Sequence, residues 1–202
     1  LASRVAYTPA GDCADLATAT TVQDALDKLC RRQEGGDCTY TIREGDDLAA
    51  RWAAIQAAGF DNGAICFAEG TWIVAEPLRL FRKRNVTVHG LGRASVVVAS
   101  KGETAFQFAE CDSVTFTDMV VEARLGTIRD GLGGAVSMLN CGPVTIERVT
   151  VVGPSAPEPL VAGLAVTRGP ESNAVGPIRI HDCDLATGEQ QRALVLRQRR
   201  ER

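Results

Sequence analysis

An all-β right-handed parallel β-helix, with three short strands to a coil, about five coils and an N-terminal capping α-helix, is the architecture the 202-residue sequence predicts. Three observations carry this expectation. From Ala64 onward, apolar residues alternate with polar ones in very short runs rich in Val, Ile and Thr, the period-two pattern of strands with one buried face. The runs recur in fixed order with a spacing of 28 to 30 residues along one of the sets (106−78, 136−106, 164−136, 194−164). No single repeat carries enough apolar surface to bury its own core, so the repeats must stack. An antiparallel sandwich predicts strands every 8–12 residues without such a superperiod.

Three sets of paired apolar positions define the columns. The first is Ile65/Phe67, Val86/Val88, Val114/Phe116, Val144/Ile146 and Ile178/Ile180; the second is Leu78/Leu80, Phe106/Phe108, Val136/Met138, Leu164/Val166 and Leu194/Leu196. The third is Met119/Val121, Val149/Val151 and Cys183/Leu185. Parallel stacking at the ~4.8 Å strand spacing makes each set an interior column. On this reading Val114, Phe116, Val144, Ile146 and Ile178 are buried, and Thr115, Thr145 and Arg179 are exposed.

Ahead of the repeats lie two helical segments. In Thr21–Leu29, apolar residues at 22, 25, 26 and 29 share one face behind a capping pair of Thr21 and Asp24, and Gly35-Gly36 ends the segment. It is too short to stand alone in water and needs a surface to pack on. The second segment, over 46–58, has Asp46-Asp47 as N-cap, Leu48, Trp52 and Ile55 on one face and Gly59 as its stop. The predicted organisation is therefore a helical attachment or linker segment over 1–40 and a capped β-helix over 41–202.

Net charge is −3, from 22 basic and 25 acidic residues, which supplies no basic field for nucleic acid. The arginines at 197, 199, 200 and 202 read as a solvated terminus. No apolar run approaches the ~18 residues of a membrane span. Because the chain opens on Leu1, it reads as a processed protein or an excised fragment. The seven cysteines are widely spread with no Cys-x-x-Cys pair. They predict buried small hydrophobes, with neither a disulfide framework nor a zinc site. Cys111 and Cys141 each stand three residues before a column valine, so they are expected to stack as reduced thiols.

The stretches GDDLAARWAAIQAAG, GAICFAEGTWIVAEPLRL and NVTVHGLG resemble the capping helix and opening coil of the pectate-lyase-like superfamily of right-handed β-helices. The resemblance runs from about Gly45 to Leu196. It implies that the helix over 46–58 covers the open end of the coil, whose edge would otherwise template further pairing. It does not fix an activity, because many functions share the fold. Polygalacturonases of the superfamily carry Asn-Thr-Asp, Asp-Asp, Gly-His-Gly and Arg-Ile-Lys; here only Arg179-Ile180-His181 partly echoes the last. The calcium cage of aspartates that its lyases need is not matched either. TTVQDALDKL, at 20–29, is similar to a segment near the attachment regions of phage-tail-like fibres and spikes.

Outward positions alternate with the columns. They give one file of Thr87, Thr115, Thr145 and Arg179 and a second of His89, Thr117, Glu147 and His181. Glycoside hydrolysis needs two carboxylates, and only Glu147 stands in these files. Asp118, Arg148 and Asp182 fall at equivalent places and read as a surface ion-pair ladder. His181-Asp182-Cys183-Asp184 does not aim its groups at one ion, and Asp130-Gly131-Leu132-Gly133-Gly134 leads into a strand and so is no phosphate cradle.

The sequence thus predicts a non-catalytic binding or structural module of a larger surface or phage-tail-like assembly, extracellular or particle-associated, without cofactor or metal. Its binding residues are Thr115, Thr145, Glu147, Arg179 and His181, and its partner a polysaccharide or cell-surface glycan. The loops over 130–134, 153–162 and 168–176 are expected to take part in recognition. Residues 1–40 and the coil edge at Leu194 and Leu196 are expected to meet a neighbouring domain, continuing coils or a subunit. The alternative is a carbohydrate-active enzyme using Glu147, His181 and Arg179 on an acidic polysaccharide.

Overall fold

A computed structural model describes residues 38–100, 104–123, 134–152, 162–169, 175–186 and 194–198. The expected helix at 21–29 and most of the three loops lie outside these residues. The described chain is an all-β parallel β-solenoid of about four turns with one short α-helix. Its strands are β1 (Cys38–Ile42), β2 (Gly63–Phe67), β3 (Gly70–Val74), β4 (Leu78–Phe81), β5 (Val86–His89), β6 (Ser95–Ala99) and β7 (Phe106–Ala109). They continue with β8 (Val114–Ala123), β9 (Gly134–Leu139), β10 (Val144–Val152), β11 (Ala162–Arg168), β12 (Ile178–His181), β13 (Asp184–Ala186) and β14 (Leu194–Gln198). The residues Cys38, Thr39 and Tyr40, which the sequence reading placed in the attachment segment, are strand, so the solenoid begins by Cys38.

Every strand pairing is parallel and joins equivalent positions of successive turns. One sheet runs β4–β7–β9–β11–β14; the other runs β1–β2–β5–β8–β10–β12, with β3, β6 and β13 joined to it alongside. The second apolar set stacks in the expected register, Leu78 on Phe106, Val136, Leu164 and Leu194. The first set holds from Val86 through Val114 and Val144 to Ile178. At its start the register differs: Ile65 pairs with Val88 and Gly63 with Val86, so the step there is 23 residues (88−65) and not 21. The shorter turn hid this offset. Gly63 is closely enclosed there: a Cβ would meet the Thr39 hydroxyl and, at 2.8 Å, the Phe60 ring. The third set begins two turns earlier than the sequence suggested, with Trp72 on Val97 and Val97 on Val121.

The helix α1 (Leu48–Ala57) starts as its sequence dictates. Asp47 caps it by accepting the Ala50 N–H at 3.0 Å, and Gly59 takes the left-handed conformation past its end, φ 69°. Leu48, Trp52 and Ile55 are its buried stripe. Trp52 lies 6.4 Å from Phe67 and 6.0 Å from Phe106 between ring centroids and donates its indole N–H to the Arg79 carbonyl at 2.9 Å. Phe67, Trp72, Phe106, Phe108 and Phe116 continue this aromatic cluster edge to face. The hydrophobic drive of burial is thus concentrated where helix and sheets meet.

Two corners of the solenoid are built on left-handed, non-glycine residues. One carries Arg82, Glu110 and Asn140 (φ 52°, 54° and 51°); the other carries Asp118, Arg148 and Asp182 (φ 56°, 52° and 55°). Each αL residue costs backbone energy, which recurs here because the chain must turn at the same place in every turn. Stacking offsets part of that cost. Arg82 pairs with Glu110 at 2.7 Å, and Arg148 grips Asp118 through two bonds of 2.6 and 2.8 Å. Asn85 likewise donates to Asn62 at 2.7 Å, both with positive φ. At the equivalent bend in β5's turn the residue is Gly90. A Cβ there would meet the Ser95 Cβ at 2.6 Å and the Asp118 carbonyl at 2.7 Å. Ser95 is fully buried and occupies that space to accept from Leu91 N and donate toward the Phe67 and Ala68 carbonyls.

Candidate functional site

The outward face of the β2–β5–β8–β10–β12 sheet holds every site residue expected from the sequence. Thr87, Thr115, Thr145 and Arg179 are register neighbours, as are His89, Thr117, Glu147 and His181. The second file reaches one strand further than expected, to Cys66, the partner of His89. Exposure is lower than the alternation implied. Thr115 and Thr145 are half-buried, Thr117 is buried, and only Arg179 and His181 are exposed. A short side chain in the middle of a parallel ladder is screened by the residues stacked above and below it, ~4.8 Å away. For the matching reason Ile178, on the last strand of this path, is half-buried rather than buried. Val114, Phe116, Val144 and Ile146 are fully buried as expected.

At the β10–β12 end the polar groups cluster. His181 places Nε2 3.8 Å from Glu147 and Nδ1 3.5 Å from Asp182. A ligand atom from each of the three lies within 4.8 Å of the others. The sequence reading counted one acid on this face; the structure brings a second, Asp182, beside Glu147. Counting columns missed it because Asp182 sits at the αL corner, where the backbone leaves the strand's alternation. Glu147 also contacts the Arg148 guanidinium. Arg148, gripped by Asp118, is held charged beyond its ordinary range; Arg148's hydrogen bonds in turn pull the Asp118 carboxyl below the usual carboxylate range. The expected ladder of Asp118 and Arg148 is thus present, and Asp182 adds its charge to the same group.

At the opposite end of the file, three elements meet at sulfur. Cys38 of β1 and Cys66 of β2 form a disulfide, Cα to Cα 5.8 Å. His89 of β5 places Nε2 2.8 Å from the Cys66 sulfur and 3.7 Å from that of Cys38. This corrects the expectation that the cysteines make no disulfide framework: one cross-link is present among the described residues. The pairing was hidden because the two are 28 residues apart, one turn of the solenoid. Cys66 stands between the column positions Ile65 and Phe67, a place that gives no sign of its partner. The third member was visible: His89 stood in the outward file.

Cys111 and Cys141 are free, buried and stacked in successive turns, as their spacing predicted. Their shared hydrogen bond, with burial, pushes the Cys141 thiol above its ordinary range and draws the Cys111 thiol below its own. No helix among the described residues is long and apolar enough to cross a membrane. No family model, curated protein or solved structure matches this chain.

Proposed function

We propose that this chain is a non-catalytic binding module, a right-handed, helix-capped β-helix of the pectate-lyase-like kind within a larger surface or tail-like assembly, that docks an extended glycan along its outward sheet face. One observation carries the reading. The file Thr87, Thr115, Thr145 and Arg179 runs beside the file His89, Thr117, Glu147 and His181 in unbroken parallel register. A rigid ladder of hydroxyls at ~4.8 Å steps, ending in a cation, a carboxylate and an imidazole, offers regularly spaced donors and acceptors. A polyhydroxylated polymer has complementary groups along its length. The support is the preorganisation of the face, since stacked side chains lose little further entropy on binding.

A second reading, a polysaccharide lyase or hydrolase, is favoured by the juxtaposition of Glu147 and Asp182 with His181. Retaining glycosidases hold two carboxyl groups about 5–5.5 Å apart. Against it, the His181 and Asp182 side chains are 45% and 75% exposed, whereas a carboxyl acting as acid is tuned by withdrawal from water. Incubation with polygalacturonate and with alginate, with and without calcium, separates the two. The binding reading expects retention on the immobilised polymers, weakened in Thr145→Arg and Arg179→Glu, with no new reducing or unsaturated ends. Release of ends that stops in Glu147→Gln and in Asp182→Asn would establish the enzyme instead.

A further inference from the structure

We propose that Cys38, Cys66 and His89 form a metal site of the zinc class in the thiol state of the protein, closed by the disulfide in the oxidised state. The ligand atoms of the three residues lie within 4.8 Å of one another, and they come from three adjacent strands of one sheet, β1, β2 and β5. Two thiolates and an imidazole are a soft donor set that selects zinc-like ions over magnesium or calcium.

The histidine is oriented for this role. Its Nδ1 lies 3.5 Å from the Gly90 carbonyl; in the tautomer with Nδ1 protonated, the Nε2 lone pair is turned toward both sulfurs. A disulfide carries no proton for it to accept; two thiols, or a cation held by two thiolates, satisfy it. The required rearrangement is small. Tetrahedral zinc, with Zn–S of about 2.3 Å and Zn–N of about 2.0 Å, separates sulfur from nitrogen by roughly 3.5 Å. Cys38 already stands at 3.7 Å, and rotation about the Cα–Cβ bonds opens the sulfur pair once the S–S bond is cut.

The chemistry balances simply. A reductant of the thiol or phosphine class delivers two electrons to the S–S bond, and two protons complete the thiols. Binding of the dication releases those protons to solvent, leaving a fourth position for water or a further ligand. Reoxidation by a disulfide or peroxide removes two electrons from the thiolates and expels the ion. The consequence is structural as well as chemical. The disulfide joins β1 to β2 only, whereas the metal adds β5 and clamps three strands.

Cobalt binding to the 202-residue chain, after reduction with a phosphine and its removal, tests the site. The proposal expects one cobalt per chain with a thiolate-to-metal charge-transfer band, displaced by zinc. The band is lost in Cys38→Ser and Cys66→Ser, and lost or shifted in His89→Ala. It persists in Cys13→Ser/Cys30→Ser, in Cys111→Ala and in His181→Ala. His89→Ala keeps the disulfide when oxidised, so its fold can be verified before reduction. If reduction alone unfolds the chain, recovery of the far-ultraviolet spectrum on adding zinc supports the site, and failure to recover overturns it. A folded, reduced protein without the band, or a band that survives Cys66→Ser, overturns it equally.

Discussion

The two ends of one outward file make a natural contrast. Cys66, His89, Thr117, Glu147 and His181 are the same position in five neighbouring strands of the sheet, yet the imidazole at each end has different company. At the β2 end a buried sulfur meets an imidazole and a second cysteine from β1. At the β12 end an exposed imidazole lies between two carboxylates, one of them against an arginine. The register position is the same at each step, so the difference lies in what the neighbouring elements add. β1 contributes Cys38 at the first end, and the αL corner contributes Arg148 and Asp182 at the second. A repeat fixes where a side chain points, and its local partners decide what it can do.

The largest effect is expected one residue away from the file. Val144→Asp places an unpaired charge in the fully buried column and should cost at least about 3–5 kcal/mol, enough to abolish a cooperative urea transition. Thr145→Asp, half-buried and outward, should retain the transition. Equal losses for the two would break the inward–outward alternation on which the site rests.

Next in size is the sulfur end. The disulfide closes a separation of 28 residues, for which chain entropy gives about 3–4 kcal/mol. Cys38→Ser, without added metal, should lower the urea midpoint accordingly. At the other end, deleting the His181 side chain should leave the midpoint unchanged within about 0.5 kcal/mol. Similar effects at both ends would mean that β1 is held by packing rather than by its cross-link.

Smaller still is the corner ladder. The Asp118 carboxyl is lowered by Arg148 in the folded state, so its contribution is fully present above the unfolded value of about 3.9. That contribution is lost as pH falls through the lower folded value. Arg148→Ala should therefore reduce the melting temperature by about a degree or two near neutral pH. The gap from the parent should vanish at pH values below the folded Asp118 pKa. A gap that persists in strong acid would assign the effect to packing. The smallest change is expected at Arg82, φ 52°, whose ion pair with Glu110 is largely exposed. Arg82→Gly relieves the left-handed backbone while removing a weak pair, and should shift stability by less than about 1 kcal/mol.

Much of this architecture was legible from apolar spacing alone. The columns from Leu78 to Leu194 and from Val86 to Ile178 pair as their intervals imply, because in a parallel stack a constant residue count per turn is a constant position in space. The helix over Leu48–Ala57 was legible from Asp47, Gly59 and the 48/52/55 stripe, because capping and amphipathicity are local. The two outward files followed from the same alternation. What alternation could not convey was anything that departs from it. The short first turn shifted Ile65 onto Val88. The corner carried Asp182 out of its strand's pattern to Glu147.

Residue order thus dictates the solenoid, the helix and the inward or outward sense of the column positions, since these depend on short-range periodicity and on burial that every turn repeats. That Cys38 reaches Cys66, that His89 faces both sulfurs, and that Glu147 and Asp182 share His181 emerges only in three dimensions. These contacts join groups a full turn apart or displaced by a left-handed corner. Their distances depend on the length of each turn and on the angle of each bend, quantities that no local pattern of apolar and polar residues encodes.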